Sequence, residues 1–133
     1  MPERLAAIGT TLAEVIVEHA PQVLAIEKAY AGRSAASALA LGQARGAVML
    51  LAGQHALPVF EYQPSTIKRA VVGHGRATKA DVQRRVTLIL SMRREPAEDA
   101  ADALAIALCH AQRAVAPRAV VLARGPSGEG VPR

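Results

Sequence analysis

Glu27, Asp99 and Asp102 are the residues of this chain whose type and setting ask for chemistry. Asp99 and Asp102 lie in PAEDAADALAIALCHAQRA, residues 96–114, three positions apart and so on one face of the helix this stretch predicts. Onward along that face from Asp102 come the apolar Ile106 and Cys109, so both carboxylates are expected to point inward. A buried carboxylate is costly unless something positive sits beside it. Glu27 closes the apolar run VLAIE, residues 23–27, at a predicted strand end, where open α/β sheets present binding and catalytic groups. An acid in a first helical turn can serve the helix alone, by capping amides and complementing the macrodipole, which is the ordinary account of Asp99. Asp102 and Glu27 have no such capping role. Carboxylates that converge repel one another and become tolerable around a divalent cation, and hard oxygen donors of this kind suit Mg2+ or Mn2+.

Two carboxylate-held ions beside a basic surface have a natural reaction, hydrolysis of a phosphodiester, in which one ion activates water and the other stabilises the leaving oxygen. A basic surface is predicted. The chain carries 16 Lys and Arg against 11 Asp and Glu, for a net charge of +5. Lys68, Arg69, Arg76, Lys79, Arg84, Arg85, Arg93 and Arg94 all fall between Thr66 and Arg94, where Asp81 is the sole acid. Such a field attracts polyanions and makes phosphate contacts salt-dependent; its plain alternative is a solvated face kept for solubility. Lys68 and Lys79 are the candidates to counter charge building on an attacked phosphate, against the same plain alternative of surface cations.

The elements that must position these groups follow from periodicity and punctuation. Leu5, Ile8, Leu12, Val15 and Ile16 recur at helical spacing, which predicts a helix over residues 3–19 that stops before Pro21. Short apolar runs predict strands at 23–27 and 58–62, and between them SAASALALGQARGAVMLLAGQ predicts a long helix over 34–54 with Ser34 as its N-cap and Gly53 near its end. A short helix near 65–71, a turn at Gly73–Gly75, a helix over 79–90 and a last helix over 96–113 complete the pattern. Residues 1–113 are therefore expected to form one domain, and the Pro- and Gly-rich residues 114–133 a flexible tail. Strand, helix, strand is a βαβ unit, so the fold class is α/β. Two parallel strands cannot shield runs as apolar as these, so further strands are expected to complete the sheet.

Other classes drop out. A single cysteine, Cys109, forms no internal disulfide, which favours a reducing cytoplasm and leaves that residue to the core. No apolar run is expected to reach the roughly 18–20 residues of a membrane span, because Gln43 and Arg45 interrupt the longest candidate. MPERLAAIG is a poor signal peptide, and His19, His55, His74 and His110 lack zinc spacing.

The blocks ERL, AIEKAY, ALALGQARGAVM, LPVFEYQPSTIKRAVVGHGRATKADVQ and DAADALAIALCH, spread from about Pro2 to His110, resemble the RuvC Holliday-junction resolvases, nucleases of the RNase H-like superfamily. The resemblance implies an RNase H-like fold, a mixed sheet flanked by helices. It also implies Mg2+-dependent, or Mn2+-dependent, cleavage of four-way DNA junctions in recombination and repair, with two ions per active site. Glu27, Asp99 and Asp102 match the family's metal-binding acids, and Lys68 and Lys79 match basic residues used at the scissile phosphate. Arg69 and Arg76 join those lysines as expected DNA contacts. Tyr30 falls where the family places an aromatic side chain that stacks on bases at the junction centre; without the resemblance it reads as a half-buried loop anchor. The helix over 34–54, with Gly42 and Gly46 in a thin stripe, is implied to form part of a homodimer, and a branch-migration motor is left open as a further partner.

Family members carry strands, and an essential aspartate on the first of them, ahead of the helix in which Met1 falls. The expectation is therefore a chain that shows only the last two strands and the helices. Either its start is assigned too far downstream, the preferred reading because the three acids and both lysines are kept, or it is a truncated, catalytically inactive junction-binding fragment. Cleavage of a synthetic junction separates a nuclease from a binding module, and a protein-interaction fragment predicts neither cutting nor binding.

Overall fold

The structure is a computed structural model that describes residues 1–28 and 34–114. Its elements run α1 (Pro2–His19), β1 (Leu24–Glu27), α2 (Ala35–Gln54), β2 (Val59–Tyr62), α3 (Pro64–Val72), α4 (Lys79–Ile89) and α5 (Glu98–Ala114). They divide into two compact units, Met1–Pro64 and Ser65–Arg133.

In the first unit, proline opens α1, where its missing N–H costs no helical bond, and Ala20 closes the helix in the left-handed region (φ 44°), its N–H bonded to the Ile16 carbonyl. Ser34 caps α2 as expected, its hydroxyl accepting the Ser37 N–H at 3.3 Å. The strands pair in parallel, with Leu24 opposite Val59 and Glu27 opposite Tyr62, and α2 is the crossover that parallel pairing requires. Strand pairing starts one residue later at each strand than the apolar runs suggested, at Leu24 and Val59. Among the described residues the sheet is these two strands and purely parallel.

The core of this unit is thin. Ile16, Leu51, Ala52 and Tyr62 are buried, while Val17, Leu39 and Leu50 stay 74%, 65% and 62% exposed. α2 also corrects an expectation. It is 20 residues long with a mean hydropathy of 1.4, so by length and composition it is long and apolar enough to cross a membrane, although core helices of soluble proteins meet the same measure. One cation does not pull such an Ala- and Leu-rich window below that level, and α2 packs along α1.

The second unit closes on itself. Val82 and Val86 of α4 face Ala101, Ala105 and Cys109 of α5, and Val86 and Cys109 are fully buried. Small residues on α5 let the two helices approach, and burying a side chain like Val86 contributes about 1.5–3 kcal/mol. Ile67 and Val71 bury the inner face of α3. Polar fasteners join the three helices: Gln83 donates to the Pro96 carbonyl (3.2 Å), Arg85 to that of Val71 (3.3 Å) and Gln112 to that of Ala70 (3.0 Å). Gly73, at φ 104°, ends α3 in a conformation that costs glycine little, its N–H bonded to the Arg69 carbonyl. Gly75 passes so near α3 that a Cβ there would meet that of Ser65 at 3.4 Å. α4 then starts with a capping box in which Thr78 and Asp81 exchange backbone and side-chain bonds of 2.9 and 3.1 Å.

Candidate metal and nucleic-acid site

The predicted residues fall in both units, Glu27 in the first and Lys68, Lys79, Asp99 and Asp102 in the second. Glu27, the last residue of β1, projects an exposed side chain from a fixed strand end. The ladder runs one step past it, through the Lys28 N–H to the Tyr62 carbonyl (2.8 Å). Arg45 of α2 donates one guanidinium nitrogen to the Glu27 carbonyl (2.9 Å) and pairs the other with the Glu61 carboxylate of β2. A single fork thus ties α2, β1 and β2 together, and only 24% of the Arg45 side chain is exposed. The residue expected to interrupt an apolar run instead fastens the strand end that carries a candidate ligand. A cavity of about 620 Å³ opens beside it, walled by Ile8, Ile26, Leu41 and Val48, with Glu27, Ser37 and Arg45 supplying polar atoms.

In the second unit Lys79 opens α4, and its ammonium reaches the acidic start of α5: 2.5 Å to Glu98 Oε1 and 3.7 Å to Asp102 Oδ2. The Glu98 hydrogen bond, then the charges of Glu98, Asp102 and Asp99, hold the lysine above its ordinary pKa. The Thr78 bonds and Arg84 hold the Asp81 carboxyl below its ordinary value, so that acid belongs to the cap.

Asp99 and Asp102 do not point inward. Asp99 is exposed and the Asp102 side chain is 47% exposed. The stripe of α5 that is buried runs through Ala101, Ala105 and Cys109; Asp102 borders it and Asp99 lies farther round the helix. The two carboxylates therefore sit at the rim of the helix pair, where water reaches them and desolvation is avoided. As hard oxygen donors three residues apart on one helix, beside a cation already drawn to them, they fit a small divalent ion as part of its ligand set. Among the described residues no three or more His, Cys, Asp or Glu side chains gather at metal-binding spacing within either unit.

The basic run divides. Lys79 is committed to the acids, Arg84 bonds Asp81 (2.8 Å), and Arg85 is spent on the Val71 carbonyl. Lys68, on α3, is half-buried; Arg69 and Arg76 are exposed near the C-terminal end of α3 and in the turn that follows. Tyr30 and residues 115–133, most of the expected tail, lie outside the described residues. Glu98 and Arg45 are the functional candidates that sequence reasoning missed. Their signals were an acid one position ahead of Asp99 and a lone cation inside an apolar helix.

The sequence model of the family described as crossover junction endodeoxyribonuclease RuvC matches residues 1–110. A protein of that name from Halorhodospira halophila is 51% identical over 117 residues, covering 88% of this chain and 70% of the relative. One from Citrifermentans bemidjiense is 49% identical over 113 residues, covering 85% of this chain and 69% of the relative. Among solved structures, Thermus thermophilus RuvC in complex with Holliday junction substrate is 38% identical and superposes with a TM-score of 0.78, covering 84% of this chain and 68% of that one. A second Thermus thermophilus RuvC structure gives 0.75 at the same identity and coverage.

Proposed function

The chain belongs to the RuvC family of crossover junction endodeoxyribonucleases, with an RNase H-like α/β fold, and from that premise we propose that it hydrolyses phosphodiesters at four-way DNA junctions in the cytoplasm. Glu27, Asp99 and Asp102 would hold the metal, Mg2+ in the first instance and two ions in the full site. Bound there, the ion supplies a water of lowered pKa and a charge that offsets the phosphate's own. Lys79 and Lys68 place ammonium groups against charge that builds on the attacked phosphate. Arg69 and Arg76 hold the backbone of the junction arms, and Tyr30 offers a ring to unpaired bases. Two copies related by a twofold axis would address the two symmetry-related strands of the junction. The observation that supports this reading most is the meeting of Lys79 with Asp102 at the start of α5.

A second reading, junction binding without cutting, draws on a different observation: among the described residues no three His, Cys, Asp or Glu side chains are grouped so as to hold a metal ion. A nicking assay on a synthetic four-way junction with Mg2+, run beside a gel shift in EDTA, separates the two. Under the nuclease reading the chain nicks the junction, and Glu27→Gln and Asp99→Asn abolish nicking while leaving the shift unchanged, because they remove metal ligands and not phosphate contacts. Shift without nicking in the unsubstituted chain selects the second reading, and nicking that survives both substitutions overturns the metal assignment.

A further inference from the structure

Glu98 has no place in the ligand set above, yet it makes the shortest contact that Lys79 has, at 2.5 Å. We propose that Glu98 is a positioning residue: it tethers the Lys79 ammonium at the acidic start of α5, where the lysine is the resident counter-cation of Asp102 until a divalent ion takes that place. The counter-cation half of this inference rests on the metal reading above; the tether does not.

Neither helix needs the pair for its own stability. Thr78 and Asp81 already cap α4, and α4 and α5 are joined by the Val86 and Cys109 core and by the Gln83 bond to Pro96. Lys79 also stands at the positive end of the α4 dipole, an unfavourable place for a cation, while Glu98 stands in the first turn of α5, a favourable place for an anion. Side chains exposed to 65% and 52% contribute little net stability as an ion pair. What the pair does accomplish is geometric. A lysine on a flexible four-carbon stem otherwise samples a wide volume of solvent. With its charge-assisted bond to Glu98 made, its ammonium lies 3.7 Å from an Asp102 oxygen. A divalent ion held by Asp102 would repel the ammonium from that oxygen. Glu98, outside the proposed ligand set, would keep it at the site in position to meet a phosphate.

The test follows the Lys79 ammonium by its 15N–1H signal in the full chain, assigned by its loss in Lys79→Met. In the unsubstituted protein the signal is expected to exchange slowly with water. Glu98→Gln is expected to speed that exchange several-fold, and Glu98→Asp to restore most of the protection. Far-UV melting curves of all variants should coincide, which excludes unfolding as the cause. Equal exchange in Glu98→Gln and the unsubstituted protein overturns the proposal. Addition of Mg2+ alone is then expected to shift the Lys79 signal, with the signal retained when Glu98 is present and lost in Glu98→Gln. If Glu98→Gln frees the lysine but Mg2+ moves neither Lys79 nor the amides of Asp99 and Asp102, the tether stands and the metal reading falls.

Discussion

The two units bury their apolar side chains to different extents. Ser65–Arg133 folds three helices around side chains that are wholly inside, Val86 and Cys109 above all, and fastens them with bonds from Gln83, Arg85 and Gln112. Met1–Pro64 buries only Ile16, Leu51, Ala52 and Tyr62 and relies on one polar fork, Arg45, to join α2 to both strands; exposed apolar side chains occur in both units, Val17, Leu39 and Leu50 in this one and Leu88 in the other. A helix that is apolar all round is ordinarily covered on all sides, and α2 buries only Leu51 and Ala52. The difference separates the two halves of the proposed chemistry. The lysine and acids of α4 and α5 stand on a closed scaffold, whereas Glu27 stands at the end of a strand whose setting depends on few contacts.

The largest effect that tests this contrast is expected in the closed unit. Val86→Ala removes two methyl groups from a fully buried site and opens a cavity between α4 and α5, so it should cost about 2–3 kcal/mol. Denaturant unfolding followed by a probe on α5 measures it. A loss below about 0.5 kcal/mol, the level of an ordinary surface substitution, would show that the helix pair is not the tight core described.

A smaller and more local effect is expected in the open unit. Arg45→Ala leaves the Glu61 carboxylate and the Glu27 carbonyl without their shared donor, at a cost of about 1–2 kcal/mol, discounted because the Glu61 side chain keeps some water contact. The sensitive readout is amide exchange at Leu24 and Lys28, whose N–H groups bond the Pro58 and Tyr62 carbonyls. Their protection should fall while that of Ala101 and Val82 in the other unit is kept. Equal loss in both units would mean that the contrast between them is false.

How far the sequence reached follows the same division. Helices with periodic apolar faces were readable to within a residue or two, because the pattern that predicts α4 and α5 is the pattern that buries Val82, Val86, Ala105 and Cys109. The outward setting of Asp99 and Asp102 was not readable, since the buried stripe of α5 is made largely of alanines, which mark neither face: Cys109 marked the buried side correctly, but Asp102 borders that side without being covered. The partner of Lys79 was hidden for another reason. It depends on how the turn after Ser91, itself at φ 51°, returns the chain so that the start of α5 meets the start of α4, and spacing along the sequence carries no record of that. Arg45 was noticed only as an interruption, because a bond to a strand carbonyl 18 residues away leaves no local trace.

The smallest expected effect is also the sharpest probe of the open unit. Leu50 of α2 is 62% exposed, so Leu50→Ala deletes a side chain that loses little contact, and the change should stay within about 0.5 kcal/mol in the isolated chain. The outcome depends on what α2 meets in solution. Were a second copy to lie along this helix, as the proposed homodimer would have it, the same substitution would remove buried area and its cost would rise with protein concentration, since association stabilises by mass action. Melting curves of Leu50→Ala and the unsubstituted chain, taken across a hundredfold range of concentration, discriminate: a constant small difference keeps the open face as described, and a difference that grows assigns Leu50 to an interface between copies.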